Sequence, residues 1–175
     1  MADFLTDVKT LREQARSEIE KGPVTSAYRA DVNRVLEVLN ASLATELVCV
    51  LRYRQHHFAA KGLDSEPVAA EFLVHANEEQ QHADSLATRI GQLGGVPDMN
   101  PDTLTARAHS EYETASTLEE MIKENLVAER IAIASYTEII NWIGDGDPTT
   151  RRLFEDILVV EEEHADDLLN FLEKM

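Results

Sequence analysis

The sequence predicts an all-α fold in which four long helices form a bundle of two antiparallel hairpins joined by one long crossover. Three observations predict it. Apolar residues recur at intervals of three and four along four segments, as on one face of an amphipathic helix. The seven glycines and five prolines are grouped at a few boundaries between these segments, as expected between helices. The connection after the second segment is long enough to run the length of a bundle.

Length and composition limit the classes of function. A chain of 175 residues with 43% hydrophobic residues can bury a core in one domain and is not a disordered tail. The formal net charge of −17 repels nucleic acid and attracts cations. We see no secretory segment and no apolar run of membrane-spanning length, so we expect a cytoplasmic protein without a membrane partner. The single cysteine, Cys49, lies among apolar residues and is expected to be a buried thiol.

Two regions are predicted, an N-terminal helical extension at residues 1–24 and the four-helix bundle at residues 25–175. In the extension, an amphipathic pattern at residues 3–20 predicts a short helix that packs on the bundle or on a neighbouring subunit. The bundle helices are predicted at about residues 25–60, 65–93, 117–143 and 148–175. Side chains suited to cap the last three helices stand at Ser65, Thr117 and Asp147.

Two Glu-x-x-His motifs lie on the apolar stripes of the second and fourth bundle helices, Glu79 with His82 and Glu161 with His164. A Glu and a His three residues apart project from the same face of a helix, so both can bind one metal ion. In a chain so rich in glutamate about 0.7 such pair arises by chance, so the motifs alone prove little. Their context is more informative, because both fall where the stripe predicts core residues.

The first and third bundle helices each carry one carboxylate on the apolar stripe, Glu46 and Glu129, and each has a tyrosine seven residues later, Tyr53 and Tyr136. The chain therefore repeats one pattern, a Glu and a Tyr on one helix and a Glu-x-x-His on the next. A buried carboxylate is costly unless it is paired or binds a metal. The pattern therefore predicts a compensating cation.

Six side chains are the predicted metal ligands: Glu46, Glu79, His82, Glu129, Glu161 and His164. Four carboxylates nearly neutralise two divalent ions, and two neutral imidazoles complete the site while leaving coordination positions open. His57 and His75 also fall on the stripes, where we favour structural or supporting roles over ligation. Glu78, Glu162 and Glu163 are expected to face solvent.

From about residue 30 onward the chain resembles the ferritin-like superfamily, most closely bacterioferritins and Dps-like proteins with a bacterioferritin-type site inside each subunit. The resemblance implies a carboxylate-bridged di-iron ferroxidase site with two Fe per subunit. In the implied arrangement one iron is held by Glu46 and His82, the other by Glu129 and His164, and both are bridged by Glu79 and Glu161. Tyr53 resembles the tyrosine beside this site, and its implied catalytic role is to hydrogen-bond a ligand carboxylate or to supply an electron.

The function implied by the resemblance is oxidation of Fe²⁺ by O₂ or H₂O₂ and storage of ferric mineral in a homo-oligomeric shell. Gln80 stands where bacterioferritins carry their haem-ligating methionine, so haem is not expected. Eleven residues follow His164, too few for the fifth helix of 24-subunit bacterioferritin shells. This difference favours a shell of 12 subunits.

Two other interpretations stay open. A di-manganese catalase or a rubrerythrin-like peroxidase would use the same ligands, with Mn as the metal in the first case, although one cysteine cannot form the four-cysteine iron site of rubrerythrins. A Dps-type DNA-protecting protein is the other alternative. Net acidity and the lack of a lysine-rich arm argue against direct DNA binding.

Overall fold

The computed structural model describes residues 6–62 and 65–175, and all secondary structure in these residues is helical. Six α-helices follow one another: α1 (Val8–Ser17), α2 (Val32–Ala59), α3 (Ser65–Gln92), α4 (Leu104–Arg107), α5 (Leu118–Ile143) and α6 (Pro148–Glu173). A 3₁₀ turn, Ile19–Lys21, follows α1. Helices α2, α3, α5 and α6 form the bundle, so the predicted four-helix fold is confirmed. Within the two described ranges, none of the helices has the length and apolar character that crossing a membrane requires.

Helix α2 begins later than predicted, at Val32 rather than near Thr25. The carboxylate of Asp31 caps it by accepting hydrogen bonds from the backbone N–H groups two and three residues further on. Val24 and Tyr28 pack against the core from a non-helical segment. These two apolar side chains therefore reach the core without being part of α2.

Two of the three predicted caps are confirmed. Thr117 forms a capping box at the start of α5. Asp147 caps α6, and Pro148 occupies the first helical position, where its missing N–H costs nothing. Ser65 is the first helical residue of α3, and its hydroxyl donates to the carbonyl oxygen of Gly62 rather than accepting from the helix. The prediction that Ser65 is a cap is therefore wrong.

Helix α1 is shorter than the helix predicted at residues 3–20. None of its residues is buried, and Val8 and Leu11 are 60% and 48% exposed. The helix therefore does not pack on the bundle of its own chain, and packing on a neighbouring subunit stays a prediction. Phe4 and Leu5, which belong to the predicted apolar face, lie outside the described residues.

The crossover at residues 93–117 runs along α2 in the same direction as that helix. Near its beginning the N–H of Asp98 donates to the side chain of Asn40, and near its end Arg52 donates to the carbonyl oxygen of Glu111. Twelve residues of α-helix separate the two contact points, a distance of about 18 Å. The crossover thus returns the chain to the far end of the bundle, where α5 begins.

The core consists of two apolar halves along the bundle. One half includes Leu39, Leu43, Leu86, Ile90, Ile139 and Phe154. The other includes Tyr53, Phe72, Ile122 and Leu168. On each of the four bundle helices the predicted ligands lie in sequence between these two sets, so apolar layers enclose them from both ends and exclude water.

Candidate metal centre

The structure brings all six predicted ligands together between the two apolar halves of the core. They come from all four bundle helices: Glu46 from α2, Glu79 and His82 from α3, Glu129 from α5, and Glu161 and His164 from α6. All six residues are buried, and the most exposed of them, His82, is only 8% exposed. Because stripe positions on a helix face the bundle interior, side chains at these positions point inward whatever their polarity.

The ligand atoms form two overlapping groups. The first group is Glu46, Glu79, His82 and Glu161, and the second is Glu79, Glu129, Glu161 and His164. In each group the candidate ligand atoms lie within 4.8 Å of one another. Glu79 and Glu161 belong to both groups, so their carboxylates lie between two adjacent cation positions.

Both imidazoles turn Nδ1 toward the carboxylates. His82 Nδ1 lies 3.1 Å from Glu161 Oε1 and 3.3 Å from Glu46 Oε2. His164 Nδ1 lies 3.6 Å from Glu161 Oε2 and 3.7 Å from Glu79 Oε1. Nδ1 is therefore the atom that each histidine offers to the centre.

Glu78 holds the other nitrogen of His164, with 2.9 Å between Glu78 Oε2 and His164 Nε2. When Nε2–H donates to this carboxylate, Nδ1 keeps a free lone pair for a cation, a tautomer assigned from the hydrogen bonds. The prediction that Glu78 faces solvent is wrong, because its side chain is only 40% exposed and contacts the centre. The same prediction is confirmed for Glu162 and Glu163, which are exposed.

A tyrosine supports one carboxylate of each group. Tyr53 on α2 donates to Glu129 Oε1 on α5, and Tyr136 on α5 donates to Glu46 Oε1 on α2. Burial, followed by the nearby carboxylates, raises the pKa of both tyrosines, so both remain protonated donors. A hydrogen bond to a ligand carboxylate is one of the two roles predicted for Tyr53. Tyr136, absent from the predicted site residues, makes the matching bond, and its equal spacing from a stripe glutamate was the available signal.

The six groups are too close together to be fully charged without a cation. Burial, followed by the charges of Glu79 and Glu161, raises the pKa of Glu46 and Glu129 well above the ordinary value. Burial alone would lower the pKa of His164, but the nearby carboxylates of Glu161 and Glu79 outweigh it and raise that pKa to about 11. A similar balance raises the pKa of the other imidazole. In the absence of metal, protons therefore supply part of the positive charge that the carboxylates require.

Several atoms of the cluster have no hydrogen-bond partner within residues 6–62 and 65–175. These buried atoms are Glu46 Oε2, Glu79 Oε1, Glu129 Oε2, both carboxylate oxygens of Glu161, and His164 Nδ1. Unpaired buried polar atoms are rare in folded proteins, and here they converge on one place. Carboxylate oxygens with imidazole nitrogens form a donor set that suits first-row cations such as iron and manganese. The side chains therefore fit a pair of such cations.

A second buried polar network, which the sequence did not predict, lies outside the six-ligand cluster. Arg52 is 1% exposed, and its Nε donates to Asn125 Oδ1, which also lies 3.2 Å from His56 Nδ1. Cys49 is buried as predicted, with its Sγ 3.5 Å from an Arg52 nitrogen. This network joins α2 to α5 without contributing a ligand atom.

His57 takes the structural role that we favoured, with Nδ1 2.6 Å from a backbone carbonyl oxygen of α3.

A family model described as the ferritin-like domain matches residues 36–175, which include all six predicted ligands. The chain belongs to the ferritin-like family. Among the relatives of this ferritin-like chain, a DNA protection during starvation protein from Pyrococcus furiosus is 35% identical over 77% of this chain and 74% of that protein. A bacterioferritin from Desulfovibrio desulfuricans is 30% identical over 75% of this chain and 70% of that protein.

Solved structures extend the similarity over nearly the whole ferritin-like chain. A dodecameric thioferritin, the bacterioferritin-related protein of Bacteroides fragilis, has a TM-score of 0.80 and 31% identity, covering 95% of this chain and 94% of that one. The D. desulfuricans bacterioferritin, solved with its diiron site in different catalytic states, has a TM-score of 0.72 and 27% identity. That match covers 81% of this chain and 80% of the bacterioferritin.

Proposed function

We propose that this protein is a ferroxidase that stores or detoxifies iron, with two Fe²⁺ ions as substrates and O₂ or H₂O₂ as the oxidant. The observation that carries the proposal is the set of unpaired, buried ligand atoms divided between two overlapping groups. The diiron site of the related D. desulfuricans bacterioferritin supports the choice of iron.

The six side chains have distinct proposed roles. Glu46 and His82 bind one Fe²⁺, Glu129 and His164 bind the other, and Glu79 and Glu161 bridge the pair. Four carboxylates balance the charge of two Fe²⁺ ions, and oxygen ligands remain suitable when the ions become ferric. Two adjacent Fe²⁺ ions each give one electron, so two electrons and two protons convert O₂ to H₂O₂, or H₂O₂ to two water molecules.

Other residues of the chain prepare the centre for its substrates. Tyr53 and Tyr136 each hold one carboxylate oxygen, so the second oxygen stays directed at a cation position. Glu78 keeps the proton of His164 on Nε2 and leaves Nδ1 free to bind. The apolar halves on either side exclude water and strengthen the attraction between the carboxylates and Fe²⁺.

Storage requires an enclosed space, and we propose a homo-oligomeric shell of 12 subunits. The dodecameric state of the B. fragilis protein supports this number. The net charge of −17 would attract Fe²⁺ to such a shell. Analytical ultracentrifugation should give a native mass twelve times that of the 19.6 kDa chain, and a monomer would leave no compartment for mineral. Elemental analysis of protein purified without added metal should detect iron rather than manganese.

Stopped-flow measurement of Fe²⁺ oxidation tests the site. Glu79→Ala and His82→Ala should abolish rapid oxidation while circular dichroism shows an intact bundle. Glu162→Ala is the matched control, because Glu162 is exposed on α6 and outside the cluster, and it should oxidise Fe²⁺ like the unmodified protein. Rapid oxidation by Glu79→Ala would exclude these ligands as the ferroxidase site.

A second candidate function is DNA protection by direct binding, which the name of the P. furiosus relative favours. The net charge of −17 opposes it, because affinity for DNA depends on neutralising phosphates with basic side chains. A gel-shift experiment at low salt distinguishes the two. We expect no retarded band, and a band that disappears as salt is added would establish DNA binding.

A further inference from the structure

A second group of candidate ligands lies outside the six-ligand cluster, on the side of the bundle. Glu71 and His75 of α3 and Asp167 of α6 offer three ligand atoms within 4.8 Å of one another. His75 Nε2 lies 3.5 Å from Glu71 Oε1 and 3.8 Å from Asp167 Oδ2. Ligand atoms at about 2.1 Å from one cation in tetrahedral geometry are themselves about 3.4 Å apart. The observed separations therefore match atoms that share one ion.

The hydrogen bonds around His75 assign the position of its proton. Tyr53 donates its hydroxyl proton to Glu129, so the Tyr53 oxygen is left to accept. His75 Nδ1 lies 3.2 Å from that oxygen and must supply the proton of this hydrogen bond. In a neutral imidazole the other nitrogen, Nε2, then carries a lone pair, and this lone pair is directed toward Glu71 and Asp167.

The free nitrogen of His75 has no favourable partner in the described part of the chain. The side chain is 1% exposed, and Nε2 is buried without a hydrogen bond. Burial and then the charges of Asp167 and Glu78 raise the pKa of Glu71, as expected for carboxylates in mutual repulsion. A lone pair that faces two carboxylates is unfavourable, and a cation among the three groups removes this repulsion.

We propose that Glu71, His75 and Asp167 form a third cation site, which binds one divalent first-row transition ion separately from the six-ligand centre. One imidazole and two carboxylates are a common ligand set for such ions, and water completes the coordination. The side chains of Glu71 and Asp167 are 33% and 52% exposed, so the bound ion exchanges with solvent.

The third site is connected to the six-ligand centre through its histidine. The ring of His75 stacks on the ring of His164 with 4.0 Å between the centroids, and its Nδ1 reaches Tyr53. The imidazole ring of His75 therefore lies between an ion bound at its Nε2 and His164, a predicted ligand of the centre. The third site is inferred independently of the proposed function. The choice of Fe²⁺ as the ion that it binds naturally rests on that function.

Anomalous diffraction from crystals of the full chain soaked in Zn²⁺, which does not undergo redox chemistry, tests the inference. We expect three Zn²⁺ peaks per chain, two within the six-ligand cluster and one among Glu71, His75 and Asp167. The double variant Glu71→Gln/Asp167→Asn should lose the third peak and retain the other two. Equilibrium dialysis should show the same change in solution, from three bound Zn²⁺ per chain to two.

The matched control is Asp84→Asn/Asp166→Asn, which removes the same charge from exposed positions on the same two helices. It should retain all three peaks. Two results would overturn the third site and leave the proposed function intact. One is the absence of an anomalous peak at His75 Nε2 in the unmodified protein. The other is a third peak that persists in Glu71→Gln/Asp167→Asn. A peak at His75 with none in the six-ligand cluster would instead count against the proposed function alone.

Discussion

Tyr136 on α5 donates a hydrogen bond to Glu46 on α2, and both side chains are buried at the middle of the bundle. The bond occupies Glu46 Oε1 and leaves Oε2 without a hydrogen-bond partner among the described residues. Tyr53 and Glu129 form the same arrangement with the two helices exchanged. Each of these carboxylates therefore has one oxygen held by a tyrosine and one oxygen free for a cation.

Tyr136→Phe should weaken cation binding at the Glu46 position, because the carboxylate loses the donor that orients it. Removing such an outer partner of a ligand typically reduces metal affinity about 10-fold to 100-fold. Anaerobic titration calorimetry with Mn²⁺ should show that one of the two sites in the six-ligand centre is weakened and the other is unchanged, and anomalous diffraction at partial occupancy identifies which. Tyr53→Phe is the matched variant and should weaken the Glu129 position instead. Equal losses at both positions would show that the tyrosines do not act on individual carboxylates.

Glu78→Ala should weaken cation binding at the His164 position by about 10-fold, since the imidazole loses the acceptor that keeps its proton on Nε2. Equilibrium dialysis with Mn²⁺ under anaerobic conditions measures the change. Glu162→Ala removes the same side chain from an exposed position of α6 and should leave affinity unchanged. Unaltered affinity in Glu78→Ala would mean that the 2.9 Å contact does not orient His164.

The metal-free protein should lose stability as pH rises from about 7 to about 9. The pKa of His164 is raised to about 11 in the folded state, against about 6.5 when unfolded. Its stabilisation is complete below the unfolded pKa. Between the two values the free energy of unfolding falls by about 1.4 kcal/mol per pH unit, because only the folded state keeps the proton. The raised pKa values of Glu46 and Glu129 act in the same direction.

Urea denaturation at a fixed protein concentration measures this dependence. Protein saturated with Mn²⁺ should show a weaker dependence on pH, because bound cations replace the protons. Stability of the metal-free protein that increases between these pH values would contradict the assignment of protons to the cluster.

Arg89→Met should destabilise the fold by about 3–5 kcal/mol, because Asp147 would remain buried without its charged partner. Arg89 Nη2 lies 2.9 and 3.0 Å from the two carboxylate oxygens of Asp147, and the pair joins α3 to the cap of α6. Urea denaturation gives the change in unfolding free energy. Arg152→Met is the control, since the Arg152 pair with Asp156 is exposed and contributes no more than about 1 kcal/mol. Similar losses of unfolding free energy in the two variants would show that burial does not determine how much an ion pair contributes to stability.

The sequence predicted the bundle and the cluster for the same physical reason. Glu46 and Glu129 interrupt apolar stripes, and a residue on such a stripe faces the interior whatever its charge. The start of α2 was not predictable from the stripe, because Val24 and Tyr28 pack, partly buried, against the core from a non-helical segment. The contact of Glu78 with His164 joins residues 86 positions apart on different helices, so no local pattern contains it. Sequence spacing thus identified which side chains point inward, and only the packing of the helices on one another revealed their partners.

The amplitude of the rapid phase of Fe²⁺ oxidation, measured as Fe²⁺ is added in steps to metal-free protein, tests the central claim most directly. The six predicted ligands form two overlapping groups, so the amplitude should rise in proportion to added iron and stop at two Fe²⁺ per chain. A rapid phase that saturates at one Fe²⁺ per chain, or the absence of any rapid phase in correctly folded protein, would contradict a two-iron ferroxidase centre.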